Sequence, residues 1–411
     1  MTDRERFTRW LKVGLINLTI VALYGSLMRY KIAYDFPYFK QTNLLHAHHY
    51  FAFTGWISHI VYSGLALILN PFLLGSEKRK YDILIFANLV CAYGMLFSFT
   101  IYGYSVLSSV FSVSSILVTL FFTYFYVKDA YHFPKNNPSK PWAIMGLFLN
   151  IISCGGPIYI GYMMLTQHIE HDKYLAYLYY FLHFQYNGWF FFGTMAILAS
   201  ILPRNFINLK NYFWVFALAI IPTVVLSLIW LKVPLWLYWL AVIATYAELV
   251  TWIYLVFKLS VLLKRKVAPN YPTWVNLFLY GAVAAVTIKF VLQAVSVIPS
   301  LSNLVFGYRP IIIAYLHLVM LGIYTLFILG FGFQQGYLKI TTFSKYAALG
   351  FMLGVILNES FLAVQGFFAL GYKTVPHINL LLLIAAIVLL ISSVFLSISQ
   401  KFSKLEIRID S

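Results

Sequence analysis

The chain has 411 residues, of which 62% are hydrophobic, 19% aromatic and only 10% charged. Soluble globular domains carry about 25% charged residues, so this composition excludes them and indicates a membrane protein with many helices. The net charge is +17, but no basic run interleaved with aromatic residues occurs, and we expect no nucleic-acid partner. The two cysteines lie in apolar segments without a CxxC or CxxCH motif, which argues against covalently attached c-type heme.

Apolar windows close to the ~20 residues that a transmembrane helix needs recur along the whole chain. They lie at about 9–27, 44–69, 81–102, 104–127, 141–165, 174–201, 211–231, 233–258, 274–298, 310–332, 343–369 and 377–399. The linkers are short, and we find no low-complexity region or soluble domain. The sequence therefore predicts an all-α, polytopic integral membrane helical bundle of about twelve transmembrane helices, which forms one domain over 1–411. The first window lacks a small-residue cleavage site and is predicted to be a span rather than a removable signal.

The lysines and arginines divide unevenly between the two predicted sides of the bundle. One side carries 21 of them: Arg4, Arg6, Arg9, Lys12, Lys78, Arg79, Lys80, Lys128, Lys135, Lys140, Arg204, Lys210, Lys258, Lys264, Arg265, Lys266, Lys339, Lys345, Lys401, Lys404 and Arg408. The other side carries seven: Arg29, Lys31, Lys40, Lys173, Lys232, Arg309 and Lys373. Because short cytoplasmic loops retain positive charge, we predict that both termini are cytoplasmic, most simply in a bacterial inner membrane.

Histidines recur inside three of the predicted spans. In the predicted topology, windows two, six and ten all enter from the outer face, and their histidines lie within about three helical turns of it. These histidines are His46, His48 and His49 in "NLLHAHHYFAFTGWISHI" (43–60), His183 in window six and His317 in window ten, while His59 lies deeper. One intramembrane histidine is equally well explained as a hydrogen-bonded bridge between helices or as a ligand. Three helices with histidines at similar depth favour a cofactor, and imidazole is a common axial ligand of buried heme.

Three charged residues fall inside predicted spans: Glu248, Lys289 and Glu359. Such residues are costly in a bilayer and usually pair or serve ion transfer. Lys289 and Glu359 come at nearly equal depth in two helices that run in the same direction, so we expect them to neutralise each other. Glu248 has no obvious partner, and protonation, hydrogen bonding and a proton path all remain open for it.

Three short motifs resemble the catalytic subunit I of heme-copper oxidases, nearest its C-type oxidase and nitric oxide reductase branch. The segment "YLHLVMLG" at 315–322 is similar to the family's helix-10 motif H-x-H-L-x-x-L-G, "FLHFQYNGWFFFGTMAIL" at 181–198 to its helix-6 segment, and "LLHAHHYFAF" at 44–53 to its helix-2 segment. The resemblance implies twelve helices and makes His317 one axial ligand of a low-spin heme b. It implies that His46 is the other axial ligand, with His48 and His49 also in register, and that His183 is a copper ligand.

The chain departs from this pattern at the oxygen-reducing site. Tyr315 stands where the family has the proximal histidine of the high-spin heme, and 213–231 lacks the paired histidines of helix 7. The resemblance therefore implies that the low-spin heme site is kept, whereas copper and dioxygen reduction are not expected. Arg309 and Lys373 are candidates to bind the heme propionates by charge-assisted hydrogen bonds.

Three functions follow as hypotheses. The first is a heme-binding membrane protein that transfers electrons or senses a small ligand such as nitric oxide, in contact with lipid, other membrane redox subunits or a periplasmic electron carrier. The second is an oxidase or nitric oxide reductase with a rearranged metal site built from the additional histidines. The third is a transporter whose intramembrane histidines and charges line a substrate or proton path.

Overall fold

The structure, a computed structural model, describes residues 1–203, 207–231, 233–264, 272–301 and 308–402, with only the backbone of 262–264 and 402. Within these ranges the regular elements are all helical. Six of the basic residues used in the topology prediction lie outside the described residues: Arg204, Lys232, Arg265, Lys266, Lys404 and Arg408.

A helix is present at each of the twelve predicted windows. We number them α1 Asp3–Ala33, α2 Gln41–Phe72, α3 Gly75–Tyr102, α4 Val106–His132, α5 Ser139–Thr166, α6 at 171–201, α7 made of Leu209–Ala219 and Pro222–Leu228, α8 Leu235–Lys264, α9 Thr273–Val295, α10 Arg309–Gln334, α11 Thr342–Leu370 and α12 Ile378–Phe402. Among the described residues, ten of these helices are long and apolar enough to cross a membrane, or eleven if the bent α7 counts as one span. The prediction of a polytopic helical bundle is therefore confirmed, whereas the number of twelve spans stays a prediction because the polar middle of α6 lowers its hydropathy.

Large apolar side chains cover the outside of the bundle. On α3, for example, the exposed fractions of Phe86, Phe97 and Ile101 are 60%, 58% and 63%. Such a surface is unfavourable in water and is the expected one in contact with lipid chains. The outward faces of the helices thus fit an integral membrane protein.

Two of the predicted helices are interrupted by proline. The window at 211–231 was predicted as one transmembrane helix, and in the structure α7 bends by 47° between Ala219 and Pro222. In α5 the helix breaks at Cys154, just before the sequence Gly-Gly-Pro that ends at Pro157. Proline removes a backbone N–H donor and its ring collides with the preceding turn, which accounts for both interruptions.

Three helices contain a π-helical segment near the middle of the span. These segments are Phe51–Ser58 in α2, His183–Phe190 in α6 and Leu318–Thr325 in α10. They lie in the three helices that carry the predicted ligand histidines, and each starts at or just after such a histidine. Isolated π segments inside α-helices occur frequently at functional sites.

Side chains from neighbouring helices satisfy carbonyl groups of these π segments. Asn17 of α1 donates to the Gly55 carbonyl at 2.6 Å, and Asn88 of α3 donates to the Thr54 carbonyl at 3.0 Å. The Tyr324 hydroxyl in turn donates to the carbonyl of Tyr186. Because an unpaired carbonyl in the membrane interior costs several kcal/mol, these bonds hold α1, α3, α6 and α10 at defined positions.

The helix α2 lies at the centre of the bundle. Its most apolar 18-residue stretch is 83% buried, compared with 28–50% for the other nine long apolar helices. Two indoles bind it to its neighbours: Trp56 Nε1 donates to Thr325 Oγ1 of α10, and Trp189 Nε1 of α6 donates to Ser58 Oγ, both at 2.9 Å. The three histidine-bearing helices therefore pack directly against one another.

Candidate functional site

The candidate site lies where α1, α2 and α10 meet, at the end of α2 that carries the three clustered histidines. His317 of α10 lies within direct charge–charge range of both His48 and His49 of α2. The structure thus brings together two of the helix-2 histidines and the helix-10 histidine that the sequence singled out.

His317 is oriented by its own helix. Its Nδ1 donates a hydrogen bond of 2.8 Å to the carbonyl of Ile313, one turn earlier. Because a carbonyl only accepts, Nδ1 carries the proton, and the lone pair lies on Nε2. Among the described residues Nε2 has no hydrogen-bond partner. A ring held through one nitrogen by a backbone carbonyl, with the other nitrogen free, is the usual arrangement of a metal-binding histidine.

His48 points from α2 towards α1. Its ring interacts with the backbone of Val21, and a Cβ placed on Gly25 would lie 3.5 Å from its Cε1 atom. Its Nδ1 is buried and has no hydrogen-bond partner within the described ranges. Buried polar nitrogens are nearly always paired, so this atom calls for a partner that the described residues do not supply.

The other two histidines of the cluster have different surroundings. The ring of His46 packs edge-on against Tyr104, with centroids 4.7 Å apart, and lies 6.0 Å from the ring of Phe99. It therefore turns towards α3. His49 is exposed and lies within charge–charge range of His46, His317 and Arg309. The sequence favoured His46 as the simplest partner of His317, whereas in the structure His317 interacts electrostatically with His48 and His49.

Cationic side chains surround this histidine cluster. Arg309, a candidate for the heme propionates, interacts electrostatically with His49. Arg29 at the end of α1 acts on both His48 and His317, and sequence reasoning missed it. It was grouped only with the loop charges, although it falls one helical turn after Gly25 on the same side of α1. Lys373 is exposed in the loop between α11 and α12.

The first part of α10 is loosely packed. Between Arg309 and His317 no residue is buried, whereas five of the eight residues of the following π segment are. A helix inside a bundle normally buries one face completely. Here the side chains on every side of the helix start that carries His317 are at least partly exposed.

His183 serves as a bridge between α6 and α7. Its Nε2 donates to the Ile220 carbonyl at 2.8 Å, and its Nδ1 accepts from Asn187 Nδ2 at 3.2 Å. Ile220 lies at the bend of α7, where carbonyls lose their helical partners. Both ring nitrogens are therefore used inside the protein, and a metal ion would have to displace one of these bonds. The deeper His59 similarly binds the Trp10 carbonyl of α1 at 2.9 Å.

The prediction that Lys289 and Glu359 neutralise each other is wrong. Lys289 Nζ donates to Gln293 Oε1 at 2.6 Å, and Gln293 Nε2 donates to Glu248 Oε2 at 2.8 Å. Glu359 instead accepts a hydrogen bond from its neighbour Asn358. Equal depth in two helices does not bring side chains together unless the helices also face each other. Here α8 packs against α9 and supplies the carboxylate, so Glu248 has the partner that the sequence did not reveal.

Glu248, Gln293 and Lys289 form a continuous buried chain, with exposed fractions of 5%, 9% and 6%. The ammonium group of Lys289 also lies 4.1 Å from the centre of the Phe290 ring, a distance at which the ring face attracts a cation. The glutamine bridges the two charges, so each is hydrogen bonded although neither touches the other directly.

Within the described residues no group of three or more His, Cys, Asp and Glu side chains is arranged to hold a metal ion. The chain also matches no family model and no curated protein. The likeness to the oxidase subunit therefore rests on the three short motifs and on the histidine cluster.

Proposed function

We propose that the protein binds one heme between α2 and α10, with His317 and His48 as its axial ligands, and that it transfers electrons. The observation that carries the proposal is the pair itself: two imidazoles lie within charge–charge range of each other, and each keeps one ring nitrogen without a protein partner. Two such nitrogens on neighbouring helices are what bis-histidine ligation requires.

The residues around the pair suit the rest of a heme. Arg29 and Arg309 would neutralise two propionates through charge-assisted hydrogen bonds. Gly25 on α1 leaves room beside His48, and the half-exposed start of α10 leaves room beside His317. We prefer His48 to His49 because the unpaired Nδ1 of the half-buried His48 is itself buried, whereas His49 is exposed.

A heme with two histidine ligands would supply one-electron transfer. Both axial positions are filled, so no open site remains for oxygen, and Tyr315 stands where the oxidase family has its proximal histidine. We therefore infer electron transfer, with other membrane redox subunits or a periplasmic electron carrier as the partners. The protein would lie in a bacterial cell membrane with both chain termini cytoplasmic. Copper is not part of this proposal, because His183 is occupied on both nitrogens.

The test is the visible absorption spectrum of the purified protein, oxidised and dithionite-reduced. We expect one low-spin, six-coordinate heme that His317→Ala and His48→Ala each abolish or convert to a high-spin form. His183→Gln, His46→Ala and the loop variant His171→Ala serve as controls that keep the spectrum. A full low-spin spectrum in His317→Ala contradicts the proposal, and loss only in His49→Ala moves the partner to that residue.

Transport is the second candidate function. The observation in its favour is the buried hydrogen-bonded chain of Glu248, Gln293 and Lys289. Charged residues inside a membrane often mark ion paths. A purified protein without a Soret band would favour transport. A second, high-spin heme would instead favour an oxidase or nitric oxide reductase with a rearranged metal site.

A further inference from the structure

A partly enclosed cavity of about 60 Å³ lies on the side of α2 that faces α4 and α5. Its walls come from α2, α3, α4, α5 and α6, so neither α1 nor α10 contributes to it. The lining residues are Tyr50, Phe53, Thr54, Ser58, Tyr62, Met95, Ser112, Ser115, Ile116, Thr119, Asn150, Cys154, Pro157, Phe181 and Gln185. The cavity is thus distinct from the histidine cluster, whose residues do not line it.

The lining contains polar side chains but no charged one. Nine of its fifteen residues carry a hydroxyl or an amide group, although most of the wall surface is apolar, and no Asp, Glu, Lys, Arg or His of the described residues takes part. An ion in such a cavity would be desolvated without a countercharge, which is strongly unfavourable. A neutral molecule that forms hydrogen bonds suits the lining, and purely apolar contents would leave the polar groups unsatisfied.

A hydrogen-bonded network fixes the polar groups at one wall of the cavity. Gln185 Nε2 donates to Asn150 Oδ1 at 2.8 Å and to Ser153 Oγ at 2.7 Å, and Asn150 Nδ2 donates to the Tyr62 hydroxyl at 2.8 Å. The Tyr62 hydroxyl lies 3.0 Å from Thr119 Oγ1. Four helices are therefore connected by this network, which holds the lining in place before anything binds.

One acceptor in this network is left for a ligand. Gln185 is 7% exposed, and both of its side-chain hydrogen bonds use Nε2, so that Oε1 has no hydrogen-bond partner among the described residues. A buried amide oxygen usually accepts at least one hydrogen bond. The missing partner must be a donor, which means that the bound molecule carries an N–H or O–H group.

The backbone around the cavity is irregular in three of its walls. Helix α5 breaks at Cys154, and Pro157 has no N–H to bond the Ser153 carbonyl. The π segment of α2 contributes Ser58, and the π segment of α6 contributes Gln185. Irregular backbone at membrane depth is tolerated where it lines a polar cavity, and interrupted helices form the binding sites of many transporters.

We propose that this cavity is a binding site for a small, neutral, hydrogen-bond-donating molecule. Its volume is enough for about four water molecules, or a solute of about as many heavy atoms. The ligand donates to Gln185 Oε1 and accepts from the hydroxyls of the opposite wall, such as Ser115. Water fills the site when no solute is bound. The site does not depend on the heme proposed between α2 and α10.

The two cysteines provide a test with an internal control. Cys154 lines the cavity, whereas Cys91 is buried in α3 away from it. In the full-length protein, methyl methanethiosulfonate should modify Cys154 at least about tenfold faster than Cys91, because a close-packed interior admits no reagent of that size. Mass spectrometry of the peptides gives both rates. Equal, slow modification of the two cysteines overturns the proposal.

Protection of Cys154 by small solutes distinguishes a site for a neutral ligand from a site for a charged one. Acetamide has four heavy atoms and a donor for Gln185 Oε1, so it should slow the modification of Cys154 several-fold and leave Cys91 unchanged. Acetate has the same shape but a negative charge and no donor, so it should give no protection. Equal protection by acetate, or none by acetamide, overturns the neutral-ligand site.

A matched pair of variants tests the location. Ser115→Leu fills the cavity and should slow Cys154 modification by about tenfold or more, because the new side chain occupies the space. Ser114→Leu makes the same change one residue earlier, outside the lining, and should leave the rate unchanged. Slow modification of Cys91 in both variants verifies that they are folded, and Ser115→Ala should keep the fast Cys154 rate. An unchanged rate in folded Ser115→Leu contradicts the assignment.

Discussion

Single polar side chains in this protein bridge helices, and the most consequential bridge joins Glu248 to Lys289 through Gln293. All three are at least nine-tenths buried. A buried charge that loses its partner keeps the whole cost of desolvation, whereas removal of both charges can be nearly neutral. Stability measurements can therefore distinguish this bridge from the pair of Lys289 and Glu359 that depth along the chain suggested.

We predict that Lys289→Met and Glu248→Leu each destabilise the protein by about 3–5 kcal/mol and that the double variant recovers much of the loss. Thermal unfolding in detergent gives the comparison. The control is Lys289→Met combined with Glu359→Leu, whose effects should simply add, since these residues do not contact each other. Recovery in the control, with additive losses in the Glu248 combination, would restore the original pairing.

For the histidines too, the sequence did not reveal the hydrogen-bond partners. His183 and His59 lie at positions that resemble ligands in the sequence, yet each binds a carbonyl of another helix. His48, His317 and His59 each keep a ring nitrogen without a protein partner among the described residues, and only His48 and His317 of these three lie in the histidine cluster. The distinction depends on what lies within about 3 Å of a nitrogen, which helix periodicity does not contain.

At the scale of the helices, the three π segments connect the fold to the candidate site. A π turn contains one more residue than an α turn, so it rotates the following part of the helix by about 100° relative to a regular helix. It also leaves carbonyls outside the regular bonding pattern. In α2 those carbonyls accept from Asn17 and Asn88, which are buried in otherwise apolar helices.

We predict that Asn17→Leu destabilises the protein by about 1–3 kcal/mol, because the Gly55 carbonyl and the Tyr93 hydroxyl would both lose a partner. Thermal unfolding in detergent measures the loss. Ile16→Leu, on the exposed face of the same helix, should change the stability by less than about 0.5 kcal/mol. Equal effects of the two changes would show that the π segment of α2 does not need this hydrogen bond.

At the scale of the whole molecule, the distribution of lysine and arginine predicts the orientation in the membrane. The prediction assigns 21 basic residues to one side of the bundle and seven to the other. The oppositely charged Asp3 and Lys78 meet at the predicted cytoplasmic end, where a 2.9 Å ion pair joins the starts of α1 and α3. Both residues thus lie at the same end of the bundle.

We predict that reporter fusions after residues 76 and 404 indicate the cytoplasm, and that a fusion after residue 170 indicates the outer side. Residue 404 lies outside the described part of the chain, so this fusion also tests where the C-terminal segment ends up. Replacing Lys78, Arg79 and Lys80 by Gln should weaken the orientation preference, while the same change at the outer-side Lys31 and Lys40 should not. A cytoplasmic signal at 170 would contradict the topology.

The sequence by itself determined the helical membrane class and the approximate positions of the long helices among the described residues. Hydropathy over ~20 residues is a property of contiguous segments, and it does not depend on how they pack. It also singled out His317, the helix-2 cluster and the three charged residues within spans, because polar residues in a span are rare enough to stand out.

Only the tertiary structure decided which of these side chains meet. Partners across a bundle depend on the rotation and vertical offset of each helix, and the π segments, the break in α5 and the bend in α7 change both. For that reason the partner of Lys289 is Glu248, through Gln293, and not Glu359. The neutral cavity beside Gln185 was likewise invisible in the sequence, since its walls come from five separate helices.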